Sequence, residues 1–223
     1  MRLDRIVVVV PARDEAATVS ACVASVRAAA RRVAVDVEVL LVADRCTDST
    51  ADLARGAGAR VLPVSLGSVG ATRAAGVAAA LAEVEPVAWA HWWIACTDAD
   101  SVVPRGWLAH HERTATAGTD LLLGTVRLTG PATRHALWRE RYAAQREHVH
   151  GANLGVRAST YRAAGGFPPV PAHEDRLLAE RVRAVPGARV AHTRAYPVLT
   201  SDRTLGRAPA GVAQDLAGVR HCA

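Results

Sequence analysis

Lysine is absent from this 223-residue chain, so all 27 of its basic side chains are arginines. They are scattered, and the densest clusters are short pairs such as Arg31-Arg32. A nucleic-acid footprint needs a basic stripe on one face with aromatic platforms. The formal net charge of +6 therefore does not indicate a nucleic-acid partner, and coding bias toward arginine explains it more simply. Cysteine is scarce: Cys22, Cys46, Cys96 and Cys222 form no C-x-x-C pair. That disfavours structural zinc and a disulfide framework, and fits small buried side chains in a reducing compartment. No apolar run approaches the ~18 residues of a membrane span, and no secretory-leader pattern precedes the first strand. The expectation is a cytoplasmic protein without a transmembrane segment. Internal repeats and linker-like stretches are also missing, so residues 1–223 read as a single domain.

What is present is a hydrophobic half, 50% of the residues, enough for a substantial core. The first ~130 residues alternate strand and helix patterns, as in a mostly parallel sheet with helices on both faces. Ile6-Val7-Val8-Val9-Val10 predicts a first strand over 5–11, buried on both sides. A helix follows to about Arg32, then a strand over 35–43, a short helix ending near Gly56 and a strand over 60–64. Gly67-Ser68-Val69-Gly70 opens an alanine-rich helix to about Glu83, and Val87–Thr97 is expected as one strand. Pro104 suits the first turn of the next helix, and 120–128 is another strand. Beyond it come a polar helix over 133–149, an extended segment over 151–157 and the turn-rich Ala164-Gly165-Gly166-Phe167-Pro168-Pro169. A helix over 174–184, a strand over 188–192 and a weak helix over 209–219 complete the pattern.

Asp98 and Asp100 stand where the apolar stretch Trp92-Trp93-Ile94-Ala95-Cys96-Thr97 stops. Carboxylates just past the carboxyl end of a central strand lie where open α/β sheets bind ligands. Hard oxygen donors in that place suit Mg²⁺ or Mn²⁺, although both residues would also cap a turn. No G-x-G-x-x-G follows Val10; that loop reads Pro11-Ala12-Arg13-Asp14-Glu15. A dinucleotide-binding oxidoreductase and a nucleotidyltransferase with a glycine-rich phosphate loop both lose on this ground.

Four segments, Val10 to Glu15, Val42 to Thr50, Thr97-Asp98-Ala99-Asp100 and His173-Glu174-Asp175, occur in the order seen in family 2 glycosyltransferases. The chain resembles that family over roughly residues 5 to 207. The resemblance implies a GT-A type fold, with a nucleotide-sugar-binding half over about 1–130 and a smaller acceptor-side half over about 131–223. It implies an inverting enzyme that moves a sugar from a nucleotide diphosphate sugar, by default a UDP-sugar, to an acceptor hydroxyl whose carrier is unknown. The alternatives are a non-catalytic sugar-nucleotide-binding protein of the same fold and a nucleotidyltransferase.

Carried over position by position, the resemblance makes Asp100 the direct ligand of Mn²⁺ or Mg²⁺ and gives Asp98 a ribose contact or a supporting role. His192, after a short strand, is a candidate to complete the metal shell. Asp44 is the base-reading acid, standing alone because Ala43 occupies the place of the family's first acid; Asp48 equally suits a helix cap. Pro11, Ala12 and Glu15 line base and ribose, while Asp14 replaces the usual asparagine and could cap the helix. Arg73, in Gly70-Ala71-Thr72-Arg73, is placed to pair with the diphosphate or with Asp98. Asp175 matches the catalytic base, which must reach the acceptor hydroxyl. Gly151-Ala152-Asn153-Leu154-Gly155 and Gly165-Gly166-Phe167 border sugar and acceptor, or serve as turns. Arg203 and Arg207 are candidate phosphate clamps in a C-terminal stretch that could equally be a solvated basic tail.

Overall fold

The computed structural model describes residues 2–82, 84–131, 133–204 and 216. The valine run forms the centre of β1 (Arg5–Ala12), and α1 (Val19–Ala30) turns Val19, Cys22, Val23 and Val26 inward at helical spacing. β2 (Asp36–Asp44), α2 (Thr50–Gly56), β3 (Arg60–Val64) and α3 (Val69–Leu81) follow close to the boundaries read from sequence. The single strand expected over 87–97 divides. Pro86–His91 is a 3-10 helix, and only Trp92–Cys96 forms β4. Pro86 has no N–H to give a ladder and its fixed φ starts the turn instead, leaving Val87 84% exposed.

After Asp100 the chain makes a two-residue strand, β5 (Ser101–Val102), which is too short to leave a sequence pattern. Helix α4 (Trp107–Thr116) begins three residues after Pro104 rather than around it. β6 (Leu121–Leu128) and α5 (Ala136–Ala144) follow, the latter covering only the middle of the polar segment. A 3-10 turn at Gly151–Asn153 enters β7 (Leu154–Arg157), which passes straight into α6 (Ala158–Ala163). Finally come α7 (Glu174–Arg183) and β8 (Val190–Thr200). Only the start of β8 is legible in sequence. Tyr196 at φ 56 and Pro197 interrupt its alternation, and the ladder to β6 shifts register between Gly124 and Val126. Of the weak helix over 209–219, all but Leu216 lies outside the described residues, as do Arg207 and Cys222.

One eight-stranded sheet in the order β3-β2-β1-β4-β7-β6-β8-β5 runs through both halves of the chain. β1 pairs in parallel with β2 and β4, and β6 with β8; β7 and β5 enter antiparallel. Alternate residues supply two cores. Ile6, Val8 and Val10 pack under α1, α2 and α4, whereas Val7 and Val9 pack under α3, α6 and α7. A third cluster joins Val126, Leu128, Trp138, Ala152 and Leu216. Cys22, Cys46 and Cys96 are free thiols, with Cys22 and Cys96 in the cores.

The reversed strand β7 needs a fastening, and Arg157 at its end supplies one. Its buried guanidinium donates to Asp120 Oδ1 (2.9 Å) and to the carbonyls of Ala90 (2.8 Å), Ala115 (2.7 Å) and Thr119 (3.0 Å). Every partner lies on a different segment from β7. Breaking a buried ion pair leaves its partner charge and carbonyls unsatisfied, at a cost of about 3–5 kcal/mol. Arg157→Met should therefore lower the urea midpoint by a corresponding amount without changing the slope; an unchanged midpoint would remove this role.

Beneath β4 and β7, Trp93 Nε1 donates to His111 Nδ1 at 3.0 Å. Burial pushes the His111 imidazole down from 6.5 to about 3. The unfolded chain then takes up a proton below pH 6.5 that the folded chain refuses until about pH 3. Stability from this group is complete above pH 6.5 and falls by up to about 1.4 kcal/mol per pH unit through that window. Denaturation of wild type and His111→Phe at pH 7 and pH 5 should show a shallower loss in the variant.

Candidate active site

Because β1, β2 and β4 are parallel and adjacent, the loops that follow them gather at one edge of the sheet. Pro11 and Ala12, the last residues of β1, lie against Val42 and Ala43. The next loop reverses at Asp14, whose φ is 51. Asp14 does not cap α1: its Oδ1 accepts from Thr47 N at 2.7 Å and Thr47 Oγ1 at 3.1 Å, stitching the β1 and β2 loops together. Those hydrogen bonds hold its carboxyl below the ordinary range. Asp48 completes the seam, accepting from Ala16 N at 3.1 Å and Thr50 N at 2.9 Å. Asp14, Cys46 and Asp48 thus lie within 4.8 Å of one another as loop fasteners.

Glu15 is buried, its backbone N–H donated to Thr50 Oγ1 at 2.7 Å. Its carboxylate receives the Arg203 fork, Nη1 to Oε2 at 2.9 Å and Nη2 to Oε1 at 2.6 Å. The same Nη2 lies 3.1 Å from Asp100 Oδ2. Arg203 therefore points inward and is not part of a solvated basic tail. Asp202 aims it, since its carboxylate accepts from Thr129 Oγ1 and Arg134 Nη1 at 2.9 Å each.

Asp98 is the more open acid, its side chain 37% exposed, and Arg73 Nη2 donates to its Oδ1 at 2.6 Å. Of the two partners open to Arg73, the fold supplies Asp98. The guanidinium is buried from water; burial opposes its charge, but Asp98 and Glu174 outweigh that and raise its pKa. Asp100 is 11% exposed at its side chain. Burial first, then the charge of Asp98, pushes its carboxyl up to about 6, with Arg203 only partly offsetting them. Asp100, under-neutralised beside Asp98 at a strand end, offers hard oxygen donors of the kind that suit Mg²⁺ or Mn²⁺. The buried Arg73 Nε and Nη1 also have no hydrogen-bond partner among the described residues.

Asp175 enters from the other half. His173, at φ 61, turns the chain into α7, and Asp175 Oδ2 accepts from Gly151 N at 2.8 Å while Oδ1 accepts from Arg176 N at 2.7 Å. Gly151 is required here because a Cβ would come within 2.3 Å of Arg73 Nη2. What closes on that glycine is the protein's own arginine. Glu174 is buried 3.6 Å from Arg73 Nε, its carboxyl raised by burial against the opposing pull of Arg73. Asp98, Arg73, Glu174, Gly151 and Asp175 thus form one connected chain. Nothing in the residue types of Glu174 or Gly151 announces that link to Arg73. Gly165 and Gly166, both at positive φ, serve a turn that seats Phe167 in the core.

Asp44 is buried and committed locally, accepting from Leu66 N (2.7 Å), Gly67 N (2.8 Å) and Thr72 Oγ1 (3.1 Å). It shapes the loop between β3 and α3. His192 is not brought to Asp100. On β8 it lies opposite Leu123, whereas Thr200, which pairs with Ser101 beside Asp100, lies opposite Leu128. Five strand residues along β6 separate those positions, roughly 17 Å. His192 Nε2 instead lies 3.8 Å from Glu147 Oε1.

The profile of the family described as "Glycosyl transferase family 2" matches residues 7–167. No curated protein matches the chain. Among solved structures, S. aureus TarS, residues 1–349 with UDP-GlcNAc, aligns at TM-score 0.67 and 16% identity over 93% of this chain and 60% of its own. The Mn²⁺ and UDP complex of glucosyl-3-phosphoglycerate synthase from Mycobacterium tuberculosis aligns at 0.61 and 18%, over 91% and 72%. The mannosyltransferase PcManGT of Pyrobaculum calidifontis, with GDP-Man and Mn²⁺, aligns at 0.62 and 19%, over 93% and 59%. The chain thus spans about 60% of the 1–349 portion of TarS and 37% of the longer TarS chain. These likenesses identify the mixed, mostly parallel sheet as the GT-A type, and the match over most of the sequence shows that the chain belongs to glycosyl transferase family 2.

Proposed function

We propose that this domain transfers a sugar from a nucleoside diphosphate sugar to an acceptor hydroxyl with inversion, Asp100 holding a divalent metal and Asp175 acting as general base. The observation that carries the reading is the Arg73 bridge. It ties Asp98, beside the proposed metal ligand, to Glu174 and to the Gly151 backbone that orients Asp175. The under-neutralised Asp100 supports the metal, and solved relatives carry Mn²⁺ with UDP or GDP-Man. A Mn²⁺ or Mg²⁺ ion bound there would offset the negative charge that builds on the departing diphosphate.

The chain's own residues divide the remaining work. Pro11, Ala12 and Glu15 border base and ribose at the end of β1, with Asp44 shaping and reading the base pocket from the end of β2. Asp98, fixed by Arg73, faces the ribose. Arg203, lodged between Glu15 and Asp100, brings its positive charge and the N–H groups that Glu15 does not engage to the diphosphate. The acceptor oxygen attacks the anomeric carbon, its proton passes to Asp175, and the anomeric carbon–oxygen bond breaks with its electron pair leaving on the diphosphate. A single displacement inverts the centre and needs no protein nucleophile. His192 is left out of the metal shell because the register places it elsewhere.

Thermal stabilisation by UDP or GDP should require Mn²⁺ or Mg²⁺ in wild type and vanish in Asp100→Ala, since only ligand bound to the native state raises apparent stability. Full metal-dependent stabilisation in the variant would defeat the assignment of Asp100. Asp175→Asn keeps the hydrogen-bonded shape but cannot take a proton. Nucleoside diphosphate affinity should change little while transfer falls by on the order of 10²-fold or more. Near wild-type transfer by that variant would eliminate Asp175 as the base, and loss of nucleotide binding would reassign the start of α7 to the donor site.

A further inference from the structure

Away from the donor edge, a cleft of about 170 Å³ is lined by Leu123, Arg146, His148, His192, Thr193 and Arg194. Four of those six side chains are arginine or histidine. Among the described residues neither Arg146 nor Arg194 is within salt-bridge distance of a carboxylate; Arg194 donates only to the carbonyl of Gln145, at 3.1 Å. The acid nearby is Glu147, which lies 3.8 Å from His192 and 3.2 Å from Arg183 with its side chain 60% exposed. His148 is more than nine-tenths buried, and its Nδ1 has no hydrogen-bond partner among the described residues.

We propose that this cleft binds an oxyanion of the phosphate or carboxylate class carried by the acceptor, with Arg146, Arg194, His148 and His192 as its ligands; the acceptor role rests on the transferase reading above. Cations gathered without a counter-charge favour an anion, and arginine forks match planar carboxylate and tetrahedral phosphate oxygens. Burial, then the charges of Arg194 and His192, hold the His148 imidazole below its usual range. The volume is below the ~300 Å³ at which whole drug-sized ligands are held, so it suits one charged group with a short attachment.

Position assigns the anion to the acceptor rather than to the donor. His192 lies at the opposite end of the β6–β8 ladder from Thr200 and the Asp100 turn. His148, in contrast, stands three residues before Gly151, whose N–H holds Asp175. Three trans peptide steps span at most about 11 Å between Cα atoms. The His148 ring lies 4.3 Å from Tyr142 and 6.2 Å from His150, and Tyr142 Oη is 3.0 Å from His150 Nε2. The lining and the backbone N–H that holds the base therefore share one segment, close enough for a small phosphorylated or carboxylated sugar or polyol to reach from one to the other.

The test uses the full chain with ¹⁵N-labelled histidine, titrated with inorganic phosphate, with acetate, and with chloride at equal ionic strength. Saturable shifts of His148 and His192 with phosphate or acetate, but not chloride, are expected, and the stronger oxyanion names the class. Arg146→Ala/Arg194→Ala, both exposed positions, should weaken this binding tenfold or more while leaving Mn²⁺-dependent UDP or GDP binding unchanged. In a release assay with UDP- and GDP-sugars, sugar phosphates or hydroxy acids should accelerate nucleoside diphosphate release over their uncharged counterparts. Absence of saturable shifts, indifference to the double substitution, or acceleration by neutral acceptors alone would overturn the proposal. Loss of nucleoside diphosphate binding in the double variant would likewise overturn it by assigning the cleft to the donor. Wild type that binds phosphate at His148 but no nucleoside diphosphate would instead defeat the transferase reading and leave the anion site standing.

Discussion

The buried guanidinium of Arg73 is the constraint on which the site depends. A cation removed from water must be met by acids and oriented acceptors or it destabilises the fold. Here the acids come from both sides of the chain: Asp98 from the turn after β4 and Glu174 from the start of α7. The packing is close enough that Gly151 can carry no side chain. Because Gly151 also donates to Asp175, the position of the proposed base is set by the charge that steadies the donor-side carboxylate.

Parallel strands bring this about at a cost. Aligning β1, β2 and β4 places Glu15, Asp44, Asp98 and Asp100 at one edge, where burial raises the energy of the Asp100 charge. Arginines meet part of that demand. Arg203 spans Glu15 and Asp100, Arg73 takes Asp98, and Asp44 uses backbone N–H groups instead. Arg157 does the comparable service for Asp120 on the opposite side of β7. In a chain without lysine each of these arginine contacts is made by a planar, permanently charged fork. Asp100 is left short of compensation, and the proposed metal site rests on that shortfall.

The cationic cleft follows the same logic in reverse. Arg146, His148, His192 and Arg194 converge where β8 meets the segment after α5 with little acid to answer them. One half of the sheet edge holds surplus negative charge and this cleft holds surplus positive charge. On the readings proposed above, the first suits a metal-bound diphosphate and the second an anionic acceptor.

The sequence by itself determined the local chemistry. The continuous Ile6–Val10 run could only be a strand buried on both faces, and the spacing of Val19, Cys22, Val23 and Val26 could only serve one helical face. The acids past the carboxyl end of β4 and at the start of α7 were legible for the same reason: strand ends and helix starts are local signals. Irregular backbone hid the rest of the pattern. Pro86 cut β4 short, β5 had two residues, and the shifted register around Tyr196-Pro197 concealed most of β8. Tertiary structure alone decided the pairings, because they join residues far apart in the chain whose types carry no address: Arg73 with Glu174, Gly151 with Asp175, Arg203 with Glu15, Arg157 with three carbonyls. It also separated His192 from Asp100, since a single ladder register, invisible in residue types, sets which end of β8 each residue occupies.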